Sequence, residues 1–89
     1  MAVAPVECFR IPGVDCWFWS NDHDPAHFHA ELAGKWEVAV CILPDADPVI
    51  VLKYGKRLPG SYRKALLAAV AEHRQELLGE WERKVCSWR

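Results

Sequence analysis

His27-Phe28-His29-Ala30-Glu31-Leu32-Ala33-Gly34-Lys35-Trp36-Glu37-Val38-Ala39-Val40-Cys41-Ile42 reads as two strands and a hairpin turn, and the rest of the chain is arranged around it. Side chains alternate sides along a strand, so His27, His29 and Glu31 share one face and Phe28, Ala30 and Leu32 the other. Trp36, Val38, Val40 and Ile42 alternate in the same way with Glu37, Ala39, Cys41 and Leu43. The loop length decides which faces coincide. A three-residue loop, Ala33-Gly34-Lys35, pairs Leu32 with Trp36, Ala30 with Val38 and Phe28 with Val40, and so collects the apolar residues on one side. A two-residue loop would set His29 against Val38, so the three-residue loop is predicted. It has a cost: Glu31 then faces Glu37 directly, and like charges opposite one another are destabilising unless a cation or a proton lies between them.

Upstream, Val6 to Arg10 reads as a short strand stopped by the turn signal Ile11-Pro12-Gly13. Val14 to Ser20 reads as a second strand, with Val14, Cys16 and Phe18 on one face and Asp15, Trp17 and Trp19 on the other. Asn21-Asp22-His23-Asp24-Pro25 breaks it before the hairpin begins. Downstream, Pro44-Asp45-Ala46-Asp47-Pro48 is a tight polar loop, Val49 to Lys53 a further strand, and Tyr54 to Gly60 a loop. Ser61 is the candidate N-cap of a helix from Tyr62 to about Val85. Leu66, Val70, Leu77 and Trp81 form its apolar stripe, widened by Leu67 and Leu78, and His73 borders that stripe on the side turned to the sheet. The expected fold is therefore α+β: a small, mostly antiparallel sheet of four or five strands packed against one long C-terminal helix.

A chain of 89 residues is one domain, here residues 1–89, and a core this small must be rich. Five tryptophans and 52% apolar residues supply it and exclude a disordered chain. Those tryptophans are read as core or interface rim, with Trp88 the one expected at the surface. Residues 1–48 carry eight acids against two bases, and residues 49–89 nine bases against four acids. The two halves can neutralise each other, or the basic one can face an anionic partner. Cys8, Cys16, Cys41 and Cys86 form no Cys-x-x-Cys, which excludes a zinc knuckle and a thioredoxin-type motif. The N-terminus lacks the features of a signal peptide, and no run reaches the roughly 18 apolar residues of a membrane span. A reducing cytoplasm with free thiols is the expected setting.

Three of the four histidines fall within seven positions. His27 and His29 project from one strand face, His23 sits on the loop before it, and His73 approaches from the helix. Imidazoles in this pattern suit a transition metal, zinc first, with Asp22, Glu31 and Glu37 as supporting carboxylates. The competing reading is a structural polar cluster in which the same histidines pair with those acids. Asp22-His23 also invites comparison with ββα-metal nucleases, but those folds bring the helix directly after the hairpin, and here a strand and a loop intervene. A histidine held by a carboxylate would serve a hydrolase as general base. Lys53, Lys56, Arg57, Arg63 and Lys64, interleaved with Tyr54 and Tyr62, are candidate contacts for an anion or nucleic acid.

Asp22-His23-x-Pro25-x-His27-Phe28-His29-Ala30-Glu31, with Glu72-His73-Arg74-Gln75-Glu76-Leu77-Leu78 and Trp81 downstream, resembles a small bacterial family called domain of unknown function 4160. The resemblance runs from about Phe18 to Trp81, and all four histidines fall on its motif positions. Ala26 stands where a second proline is usual, and the segment between Trp36 and the helix is longer. The resemblance implies a short cytoplasmic α+β protein, often encoded beside another small domain in a manner similar to toxin–antitoxin pairs, and it carries no activity. Two function classes follow. One is a metal- or ligand-binding module built on His23, His27, His29 and His73. The other is a regulatory interaction protein of a toxin–antitoxin-like pair, or a homodimer, with structural histidines. A metal-dependent hydrolase or nuclease is the third reading.

Overall fold

The structure is a computed structural model that describes residues 3–20 and 25–86, the last of these by its backbone alone. Five strands, β1 (Val3–Pro5), β2 (Asp15–Trp19), β3 (His27–Leu32), β4 (Trp36–Cys41) and β5 (Val49–Tyr54), form one antiparallel meander in chain order. Helix α1 (Gly60–Trp81) follows and ends in a wide π-helical turn, Glu82–Cys86. No helix among the described residues is long and apolar enough to cross a membrane.

The hairpin has the register that the alternation requires. Leu32 pairs with Trp36, Ala30 with Val38, Phe28 with Val40, and Glu31 with Glu37. Gly34, at φ 77°, takes the left-handed position of the three-residue loop, and the Lys35 N–H donates to the Leu32 carbonyl at 2.9 Å. On β2, Cys16 pairs with Ala30, which puts Phe18 beside Phe28 on the helix side. The helix stripe Leu66, Val70, Leu77 and Trp81 is buried against Phe18, Phe28, Trp36, Val38 and Val40, and Val85 extends it into the π turn. Each fully buried Leu, Val or Phe contributes about 1.5–3 kcal/mol.

Three expectations need correction. The first strand is Val3–Pro5, not Val6 to Arg10: Val6 still donates to the Cys16 carbonyl at 3.0 Å, but the next two N–H groups leave the ladder. Glu7 and Cys8 donate instead to the buried carboxylate of Glu80 on α1, at 3.0 and 2.9 Å. Secondly, Ser61 is not a cap. The helix begins at Gly60, the cap position is Pro59 without a side-chain bond, and the Pro59 carbonyl accepts the N–H groups of Tyr62 and Arg63. Thirdly, the helix is broken at His73, whose φ −117° and ψ 21° are not helical. There Arg74 donates to the Ala46 carbonyl at 3.1 Å, tying the β4–β5 loop to the helix just past the break.

Candidate functional site

The sheet has two faces, and α1 covers one. On the other, the pairings align Trp17, His29, Ala39 and Val51 in one row across four strands, and Asp15, Glu31 and Glu37 in the next. His29 is 8% exposed, although the helix lies on the far side of the sheet. Aromatic rings bury it instead: Trp17 stacks on it at 5.6 Å, Trp19 meets it edge-on at 6.4 Å, and the His27 ring lies at 5.2 Å. His29 Nδ1 lies 3.9 Å from Glu37 Oε2, within ion-pair range and beyond hydrogen-bond range. His27 Nδ1 lies 2.8 Å from the Pro25 carbonyl. A carbonyl only accepts, so the Nδ1–H donates and the lone pair of the neutral ring stands on Nε2.

The other predicted residues divide plainly. His27 and His29 come together, with Glu37 beside them, and Glu31 and Glu37 face each other as expected. His73 stacks on Phe9 at 6.0 Å, Phe9 packs edge-on against Phe28, and His73 Nδ1 lies 2.7 Å from Glu76 Oε1. Its partners are thus those of the helix side and the N-terminal segment. Asp22 and His23 lie outside the described residues, as does Trp88. Among the described residues no group of three or more His, Cys, Asp or Glu is placed to hold a metal ion. Lys53, Lys56, Arg57, Arg63 and Lys64 are all exposed, at the end of β5, in the loop after it and at the start of α1.

Sequence reasoning missed Glu80. It is 3% exposed, lies one position from the apolar stripe, and accepts from two backbone N–H groups and from Lys84 Nζ at 2.7 Å. Burial pushes its carboxyl up, but the hydrogen bonds from Lys84, Cys8 and the backbone outweigh that and hold it below the ordinary value. Burial likewise pulls Lys84 down, and its bonds to Glu7 and Glu80 more than restore it, leaving it above the ordinary value. The thiol of Cys8 is pushed up to about 12 by burial, then by its bond to Glu80 and the nearby carboxylates. Cys16 is also pushed up to about 12, by burial and Asp15. Neither offers a thiolate nucleophile near neutral pH. The i, i+4 spacing of Glu80 and Lys84 was the available signal, and it is ordinary on solvent-exposed helices.

One feature of the sheet stands out for its exposure. Val49, Val51, Leu52 and Tyr54 on β5 are 49, 43, 39 and 54% exposed, and among the described residues no strand pairs along the outer edge of β5. The opposite edge, β1, is three residues long and ends in Pro5.

The arrangement of histidine pair, helix break and buried stripe is the context in which the sequence motif sits. The protein-family description "Domain of unknown function (DUF4160)" matches residues 13–82. The chain belongs to the DUF4160 family. The match runs from the turn before β2 through α1, so every strand but β1 lies within it. No curated protein and no solved structure matches the chain. In this member of DUF4160, His27 and His29 join the aromatic cluster of Trp17 and Trp19, His27 also meets Trp81 of α1 at 5.4 Å, and His73 marks the break in α1.

Proposed function

We propose that this DUF4160 protein is an interaction module that takes a polypeptide strand along β5, as a regulatory protein of a toxin–antitoxin-like pair would. The observation that carries the reading is the edge itself. Sheet proteins blunt their edges with short strands, proline and charge, because an unpaired row of N–H and C=O groups is a template for another strand. β1 is blunted in this way. β5 has six residues, no proline and a single lysine, with four exposed apolar side chains. A strand added there would gain main-chain hydrogen bonds and pockets for alternate side chains. The test is affinity capture from a lysate of the source cells, comparing wild type with Val51→Lys and identifying the captured chains by mass spectrometry. A partner lost by at least about tenfold in the variant, with thermal stability unchanged, supports the reading. Equal capture by both proteins overturns it.

A second reading rests on the His27–His29 pair. Histidines that ligate a metal commonly donate the other ring N–H to a backbone carbonyl, and His27 does so towards Pro25. With Glu37 near His29, the nitrogen and oxygen donors suit zinc, and His23 is the further candidate on the same motif. Elemental mass spectrometry of untagged protein tests this. Near-stoichiometric zinc that vanishes in His27→Ala, His29→Ala supports a metal module, and protein that stays empty after incubation with zinc refutes it. The hydrolase and nuclease readings need the same ion and stand or fall with it.

A further inference from the structure

We infer that the strand which β5 accepts is β5 of a second copy of this chain, joined antiparallel about a two-fold axis. The inference rests on the reading of β5 given above and adds the identity of the partner.

Charge complementarity carries it. β5 leaves an acidic loop, with Asp45 and Asp47 exposed, and runs into a basic segment, with Lys53, Lys56 and Arg57 exposed. Among the described residues none of these five charges is held in an ion pair. An antiparallel partner of the same sequence reverses the direction, so the acidic end of one copy meets the basic end of the other, twice per dimer. A two-fold axis perpendicular to the sheet keeps each face on its own side, so it passes through a residue and not between two. With Val51 on the axis, Val49 faces Lys53 of the second copy, and the loop holding Asp45 and Asp47 comes to the end of the join where the second copy's Lys56 and Arg57 leave β5. With Leu52 on the axis, the Asp47 end of one copy lies beside the Arg57 end of the other. With Ile50 on the axis, Asp47, two residues before the strand, comes to the end of the join where Lys53 of the second copy lies. Every register that pairs the middle of β5 with itself therefore brings opposite charges together. A parallel pairing would align like with like.

The same pairing continues the two sheets into one. Val49 and Val51 lie on the face of Ala39 and Cys41, and Ile50 and Leu52 on the face of Val38 and Val40, so apolar surface is covered on both sides of the join. Nucleic acid on the basic segment would leave the acidic loop and the exposed valines unexplained.

Charge reversal tests the pairing without touching the core. Asp45→Lys, Asp47→Lys makes both ends basic, and Lys53→Glu, Lys56→Glu, Arg57→Glu makes both ends acidic. Sedimentation equilibrium of the wild type should show a dimer. Each reversed protein alone should associate at least about tenfold more weakly, and an equimolar mixture of the two should recover the dimer. Thermal unfolding of each variant, unchanged from wild type, assures that the fold is kept. A wild type that is monomeric at all concentrations, or a mixture that does not associate where the wild type does, overturns the second copy as occupant. The β5 reading itself falls only if Val51→Lys also leaves captured partners unchanged, so the two failures are separable.

Discussion

Glu80 holds the N-terminal segment to the helix, and its removal should be severely destabilising. In Glu80→Ala the N–H groups of Glu7 and Cys8 lose their acceptor, at about 1–3 kcal/mol each where water cannot replace it. Lys84 keeps the Pro5 carbonyl and Glu7, both at 2.8 Å, so its loss is partial. The two N–H groups together cost about 2–6 kcal/mol, which brackets the roughly 3–5 kcal/mol of breaking a buried pair and is a large part of the 5–15 kcal/mol that holds a domain of this kind. For a chain of this length the melting temperature should fall by more than about 8 °C. The pH dependence carries a sign. The carboxyl is held below its ordinary 4.5 in the folded protein, so its contribution is complete above that value and is lost as pH falls through the folded value. Urea unfolding followed by tryptophan fluorescence at pH 7 and across the acid range should show Glu80→Gln less stable at pH 7 and its loss towards acid shallower than in wild type. A Glu80→Ala cost below about 1 kcal/mol, or equal acid slopes, would refute the reasoning.

Other predictions follow from single positions. Gly55 has φ +100°, and a Cβ there would lie 2.5 Å from the Lys35 carbonyl oxygen, so Gly55→Ala should cost about 2–4 kcal/mol in the same unfolding assay. Ser61→Ala should change stability by less than about 0.5 kcal/mol, because Ser61 is not the cap that its position at the helix start suggests. Under the metal reading His29→Ala should lower the melting temperature of zinc-incubated protein only, as measured by differential scanning calorimetry with and without chelator. An equal loss in both would identify His29 as a structural histidine held by Trp17 and Glu37.

The fold was legible where a short-range pattern had one solution. The hairpin register followed from Phe28, Ala30 and Leu32 needing the side of Val40, Val38 and Trp36, and the helix stripe from Leu66, Val70, Leu77 and Trp81. What the pattern could not reach was set by partners distant in sequence. The N–H groups of Glu7 and Cys8 have their acceptor on Glu80, over 70 residues away, and this decides where β1 stops. The non-helical backbone at His73 coincides with the stacking of Phe9 and the tie of Arg74 to Ala46, and no spacing of residues announces it. The site was half legible. Alternation placed His27 and His29 on the face of Glu31 and Glu37, but the burial of His29 depends on Trp17 from a neighbouring strand. Proximity of His73 to the apolar stripe suggested convergence with the other histidines, whereas its partners are Phe9 and Glu76.

The central claim, that β5 is an open edge which takes another strand, is tested most directly by amide hydrogen exchange at rising protein concentration. Protection across residues 49–54 should rise with concentration while residues 3–5 on the opposite edge stay unchanged. Residues 49–54 exchanging at one rate from dilute to concentrated solution, alone and with the captured partner added, would contradict it.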